Sequence, residues 1–335
     1  MSYSFQQWLL FFYIYCFFGW CFESTYVSLR KRRFVNRGFL HSPLLPIYGS
    51  GAVVMLLVTL RLRSHVVLMF FAGMIGATAL ELVVGLAMEA IFEVKYWDYS
   101  NQKFNYRGVI CLSSSLCWGL FTVLLNKVIH QPVESFVLGL PAAAVTVTVC
   151  VISVIFLCDT VVSVKVALGI RDMLDARVRL KKELGELQEG ISEQLGTIRG
   201  ALGEKSSAAK EQMGALLDSL GERVAELSQT AGSRMAPLLD TVSDKLSALI
   251  RMEKEEDAEK AKEMSRFREK LVSIQSEGEA QKKKMTYLKL KMLRRNPSAS
   301  AGKMSAELSE LRENYEKWRL ERKEKQEKKE KQEKK

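Results

Sequence analysis

Apolar and polar positions divide this chain into two unlike halves. Over the first 159 residues five apolar runs follow one another, at about 6–29, 45–60, 65–92, 108–129 and 134–158. All but the second reach or approach the roughly 17–25 residues with which a helix crosses a bilayer, so the pattern predicts five membrane-spanning helices. The second run is short and starts among glycines and prolines, as a broken or re-entrant helix does. After Asp159 nothing interrupts a helix until Gly169, and the fifth helix is expected to continue out of the membrane. Beyond it Leu184, Leu187, Ile191, Leu195, Ile198 and Leu202 recur at steps of three and four. Leu217, Leu220, Val224 and Leu227 repeat the pattern, and Leu238, Val242 and Leu249 follow it loosely. Near-heptad spacing predicts amphipathic helix and a potential coiled coil. Glycines from Gly185 to Gly232 each cost about 1 kcal/mol relative to alanine. Pro237 breaks or kinks a helix. The tail therefore reads as a weak coiled coil or as a helix lying on a surface.

A second helical stretch, about 251–295, mixes charges and ends basic, from Lys282-Lys283-Lys284 to Arg294-Arg295. Asn296-Pro297-Ser298-Ala299-Ser300 reads as a break, and the chain finishes in a Glu/Lys/Gln repeat with little apolar surface to bury. The expected fold is all-α. A polytopic membrane domain (1–160) of about five transmembrane helices is followed by a long cytoplasmic tail, in three parts. These are an amphipathic or coiled-coil region (161–250), a charged helix with a basic end (251–295) and a charged low-complexity segment (296–335).

Charge sets the orientation. The chain has 335 residues, 26% of them charged, and a net charge of +11. Arg30, Lys31, Arg32, Arg33 and Arg37 fill the first loop; Lys95, Lys103 and Arg107 fill the third; Lys165, Arg171, Arg177, Arg179, Lys181 and Lys182 follow the fifth run. The positive-inside rule then places the N-terminus outside and the C-terminus in the cytoplasm. Arg61 and Arg63 run against that assignment. The N-terminus lacks a basic region before its first apolar run, so that run reads as a retained helix rather than a cleaved signal. The basic clusters of the tail offer contact to anionic lipid, the nearest polyanion for a chain tethered to a bilayer, with a solvated charged face as the plainer reading. Nothing resembles a nucleic-acid fold.

The chemistry-bearing residues are few. Glu81 falls near the middle of the third run, where an ionised carboxylate costs several kcal/mol unless it is paired or faces water. Two readings follow: a relay or contact for a proton or cation, or a protonated group hydrogen-bonded to a neighbouring helix. Glu89 lies eight positions on, about 80° around the helix. Ala72, Gly73, Gly76 and Ala77 give small-residue spacings that let another helix approach closely. Glu23 lies near the basic end of the first run, and Ser113-Ser114-Ser115 read as helix-to-helix hydrogen bonders. The six cysteines (Cys16, Cys21, Cys111, Cys117, Cys150 and Cys158) sit in or beside apolar runs with no C-x-x-C pair. They read as small packing residues. His41, His65 and His130 share no motif. No catalytic, cofactor or metal site is expected, and no enzyme activity.

Residues 36–51, Asn36-Arg37-Gly38-Phe39-Leu40-His41-Ser42-Pro43-Leu44-Leu45-Pro46-Ile47-Tyr48-Gly49-Ser50-Gly51, bar a regular helix across the first loop. They read as a tight packed turn or as the rim of a cavity. With Glu81, Glu89, Trp97-Asp98-Tyr99-Ser100, Asn105, Gly108, Ile110-Cys111-Leu112, Trp118-Gly119, His130 and Pro132, they resemble in order and spacing a bacterial membrane-protein family, the ABC-transporter permeases of the CmpB, or type IV, group. The resemblance covers roughly residues 5–135. It implies a multi-pass protein of the bacterial cell membrane and a permease-like transport component, and it names no substrate. It draws attention to Arg37, Gly38, Pro43, Pro46, Tyr48, Gly49, Glu81, Glu89, Trp97, Asp98 and Asn105 as candidate cavity residues. It also implies that Asp98 and Asn105 hold the third loop against residues 37–51. The chain has no G-x-x-x-x-G-K-[ST], so ATP use requires a separate ATPase subunit. The alternative is a non-transporting scaffold whose helical tail binds partners, the membrane surface or a second copy of itself.

Overall fold

Ser4 opens the first helix with a reciprocal cap. Its hydroxyl accepts from the Gln7 N–H at 3.2 Å, and the Gln7 side chain accepts from the Ser4 N–H at 2.8 Å, satisfying two donors that a helix start leaves orphaned. Helix α1 (Phe5–Lys31) ends where Arg32 turns left-handed at φ 49°. Irregular backbone follows until Pro46, in the first turn of α2 (Pro46–Thr59), where its missing N–H costs nothing. Helix α3 (Val66–Phe92) leads into a loop that carries a two-stranded hairpin, β1 (Asn105–Tyr106) and β2 (Ile110–Cys111), with Asn105 opposite Cys111. Helix α4 (Leu112–Leu124) passes through a π turn (Leu125–Ile129) into α5 (His130–Gly139). After α6 (Ala142–Ala201) come α7 (Ser207–Gln229), α8 (Met235–Glu253), α9 (Ala258–Lys283) and α10 (Tyr287–Arg295). The computed structural model describes residues 3–62, 64–201, 207–229, 235–253, 258–283, 287–296, 299–301, 308–309 and 312–313. Leu202 of the expected seam and the C-terminal Glu/Lys/Gln repeat lie outside them.

The chain divides into two units, Met1–Arg171 with Tyr287–Lys303, and Asp172–Thr286 with Met304–Lys335. In the first, α3 shows the logic of a helix whose outer solvent is hydrocarbon. Every fourth residue is buried: Met69, Gly73, Ala77, Glu81 and Gly85. Its large side chains face outward, Ile75 at 64% and Val83 at 65% exposure. Small residues on the seam let neighbours close in. A Cβ on Gly73 would fall 2.1 Å from the Thr122 hydroxyl of α4, and one on Gly76 3.3 Å from Val54 of α2. Leu120, Val147 and Leu157 are likewise exposed, as residues facing lipid should be. The protein is thus a multi-pass membrane protein.

Among the described residues four helices, not five, are long and apolar enough to cross: Phe5–Lys31, Val66–Phe92, Leu112–Gly139 and Ala142–Gly200. Helix α2 has 14 residues and spans about 21 Å, short of the roughly 30 Å hydrocarbon core. The break expected between the fourth and fifth runs, near Pro132, is also displaced. The helix passes Pro132 because the π turn inserts an extra residue just ahead of it, the His130 N–H reaching back to Leu125 O. The chain instead breaks at Leu140, which is extended (ψ 142°) as a residue before proline prefers.

In the second unit the expected seam is buried, but by its own chain. Leu184, Leu187, Ile191, Leu195 and Ile198 of α6 share one core with Leu217, Leu220 and Val224 of α7, Val242, Leu246 and Leu249 of α8, and Met264, Leu271 and Ile274 of α9. Gly190 lets Phe267 of α9 lie on α6; a Cβ there would meet its ring at 2.8 Å. An intrachain helical bundle therefore takes the place of the expected coiled coil. Pro237 sits in the first turn of α8, where proline is tolerated.

Candidate functional site

Glu81 is 4% exposed, and three donors from two other elements converge on it. Its Oε1 accepts from the Tyr99 hydroxyl at 3.1 Å. Its Oε2 accepts from Trp118 Nε1 at 2.9 Å and from Ser114 Oγ at 3.4 Å. Ser114 and Trp118 are one turn apart on α4, and Tyr99 comes from the loop after α3. That loop is rigid for local reasons. Trp97 Nε1 donates to Val109 O at 2.8 Å, and Asn105 ties Ser100 O, Gln102 O and the Gly108 N–H together. Gly108 takes φ 70°, and a Cβ there would lie 2.4 Å from Ser100 Oγ. Burial first, and Glu81 second, hold the Tyr99 hydroxyl far above its ordinary range, so it remains an O–H donor.

A second carboxylate extends the cluster. Glu23 of α1 accepts from Tyr48 Oη at 2.8 Å and from Arg37 Nε at 3.3 Å. Tyr48 also meets the Trp118 ring edge-on at 6.0 Å, which joins the two carboxylates through one aromatic contact. Glycine makes room for it. A Cβ on Gly19 would fall 2.3 Å from Tyr48 Cβ, and one on Gly49 2.6 Å from Phe12 O.

The expected site residues thus separate into groups. Arg37, Tyr48 and Glu81 belong to the cluster. Gly49 and Pro46 shape the backbone that carries Tyr48, and Gly38 supplies a carbonyl from φ 132°. Pro43 is exposed. Trp97 and Asn105 build the loop that aims Tyr99, and Asp98 accepts from Ser100 and from Ser300 Oγ at 2.8 Å. The bond expected between Asp98 or Asn105 and residues 37–51 is made by another residue: Arg37 Nη2 donates to Tyr96 O at 3.3 Å. Glu89 pairs with Lys95 at 3.6 Å and with Arg107 at 3.9 Å.

Two polar centres were not foreseen as such. His130 is 2% exposed, with Tyr15 Oη 2.7 Å from its Nδ1 and Tyr3 Oη 3.2 Å from its Nε2; Tyr3 also donates to Glu134. Beside it is a cavity of about 100 Å³ lined by Met69, Asn126, Lys127, His130, Gln131 and Glu134. His41 Nδ1 lies 3.1 Å from Asp159 and 3.0 Å from Ser163. Both histidines gain partners from other helices, which no local motif announces. Among the described residues no group of three or more His, Cys, Asp or Glu side chains is placed to hold a metal ion.

Residues 10–164 match the model of the family described as Putative ABC-transporter type IV. No curated protein and no solved structure matches the chain.

Proposed function

Since residues 10–164 match the family described as Putative ABC-transporter type IV, we propose that the chain is the membrane component of a transporter and that its pathway passes the buried acid–aromatic centre around Glu81. The observation that carries this reading is a carboxylate, 4% exposed, set in the seam of an apolar helix and met there by three aimed donors. Such a group has the chemistry to take and release a proton or to meet a cation. Uphill transport would draw energy from ATP through a separate subunit, whereas flux down a gradient past the centre requires this chain alone, and the chain itself performs no catalysis on this reading. The positive segments orient the N-terminus outside and the C-terminus in the cytoplasm of a bacterial membrane; labelling of Ser300→Cys from outside intact cells would overturn that orientation.

The test is purified protein in liposomes, with proton flux read by an entrapped pH dye and cation flux by an ion-selective dye. Glu81→Gln is expected to lower the flux at least about tenfold, while the melting temperature in detergent stays near that of the parent. Undiminished flux in Glu81→Gln, or none from the parent, would refute the assignment. A second reading, a scaffold that recruits partners, draws on the separate hydrophobic core of the second unit. Co-purification in mild detergent separates the two: an ATPase subunit favours transport, a partner held by residues 172–286 alone favours the scaffold.

A further inference from the structure

Residues 38–41 present carbonyl oxygens on irregular backbone, and in a membrane protein such groups need a partner from protein or water. The C-terminal part of the first unit supplies it. Arg295, 3% exposed, donates from Nη1 to Leu40 O at 2.7 Å and from Nη2 to His41 O at 3.1 Å. Asn296 donates to Gly38 O at 3.3 Å. Further along, Ser300 and Lys95 exchange backbone hydrogen bonds of 2.6 and 2.8 Å, and Ser300 Oγ donates to Asp98. The fork of one guanidinium across two carbonyls is a geometry that lysine does not reproduce. The occupant is connected to the acidic cluster by Arg37. Arg37 donates from Nε to Glu23, and from Nη1 to Asn296 Oδ1 at 3.1 Å and to Arg295 O at 3.3 Å.

We propose that the surface formed by residues 37–41 and 95–98 is a docking site for an arginine–asparagine segment, that α10 with Asn296, Ala299, Ser300 and Ala301 is its displaceable occupant, and that this latch restrains the Glu23–Tyr48 end of the centre through Arg37. Helix α10 has nine residues, too few to persist alone in water, so it is ordered by what it docks on. Docked, the Arg37 guanidinium is shared among Glu23, Tyr96 O and the latch. Undocked, Arg37 loses its two acceptors on the latch, and the carbonyls of Gly38, Leu40 and His41 become available to another guanidinium. The gating part of this inference rests on the transport reading above; the docking part does not.

Lys95 and Ser300 are a directly paired cross-strand couple, so their Cα atoms stand about 5.5 Å apart, within disulfide reach. In a cysteine-free background, Lys95→Cys with Ser300→Cys is expected to cross-link readily under mild oxidant. Adding Arg295→Ala with Asn296→Ala is expected to slow cross-linking about tenfold. Arg295→Lys, which keeps the charge but not the fork, is expected to fall between, with a melting temperature close to the parent's to show that the fold survives. Cross-linking indifferent to Arg295 and Asn296 would overturn the docking. In liposomes the cross-linked protein is expected to lose flux and regain it on reduction, and the unlatched double variant to exceed the parent. Flux unaffected by cross-linking, while Glu81→Gln still abolishes it, would overturn the gating and leave the transport reading intact. No flux in the parent would remove the transport reading and leave the cross-linking result to decide the docking alone.

Discussion

Replacing Glu81 by leucine tests the geometry of the centre without reference to any substrate. Leucine removes the acceptor and leaves the Tyr99 hydroxyl, the Ser114 hydroxyl and the Trp118 indole N–H facing it. Ser114 has a second acceptor in Cys111 O at 2.9 Å, so two donors are orphaned. At about 1–3 kcal/mol for each buried unsatisfied donor, the loss is about 2–6 kcal/mol. On the usual scaling that is a fall in melting temperature on the order of 10 °C. Glutamine should cost far less. Its oxygen can take the place of Oε2 and accept from Trp118, which only donates, and from Ser114, while its NH₂ turns to the Tyr99 hydroxyl, which can rotate to accept. The indole makes a cycle possible. Trp118→Phe costs stability alone, but in the leucine background it removes an orphan, so the pair should couple by about 1–3 kcal/mol. The assay is thermal unfolding in detergent of the parent, Glu81→Gln, Glu81→Leu, Trp118→Phe and the Leu/Phe double variant. A leucine variant as stable as the glutamine one, or additive losses in the double variant, would refute the claim that these donors depend on Glu81.

Gly49→Ala should unfold or misassemble the first unit, because its Cβ would meet Cys16 Sγ at 2.4 Å and Phe12 O at 2.6 Å; Gly51→Ala, with nothing within 4 Å, should raise the melting temperature, alanine being about 1 kcal/mol better in a helix. His41 is held below its ordinary 6.5 by burial and then by Arg295 and Lys291, against the pull of Asp159. The folded form thus resists a proton that the unfolded form accepts. Stability is full above 6.5 and declines as pH falls from there toward the lowered value, so the melting temperature in detergent should be lower near about pH 5.5 than near about pH 7.5, and His41→Gln should shrink the difference. An isolated 172–286 fragment should show helicity by circular dichroism that does not depend on its concentration, since its apolar seam is buried within one chain; a rise with concentration would restore the intermolecular coiled coil.

Much of the membrane half could be read directly, because lipid enforces apolar runs of fixed length. Glu81 stood out as a charge inside such a run. Its donors did not, because Tyr99, Ser114 and Trp118 converge only when α4 packs on α3 across Gly73, a pairing that sequence spacing permits without specifying. Pro132 misled for a related reason: a proline amid polar residues is usually a boundary, and the π turn that accommodates it has no compositional mark. The true break, Gly139-Leu140-Pro141, carries the ordinary turn signal. In the tail the apolar stripe was visible, but a stripe is satisfied equally by a second copy or by the same chain folding back. Arg295 was read as one more cation of a basic end, since nothing local says that two carbonyls some 255 positions away receive it.

The π turn carries a constraint on how this protein can be cut and joined. A helix advances about 100° per residue, so one extra residue at Leu125–Ile129 turns everything after it by that angle relative to α4. Removing any single residue there would cancel the offset and rotate His130 and Val137, both buried, out of the bundle while leaving α4 untouched. The composition of the span would barely change and its length by only about 1.5 Å. Circular permutants, chimeras and deletion series that cross this point should therefore be designed by counting residues, since a splice preserving hydropathy but not phase would assemble the right helices with the wrong faces inward.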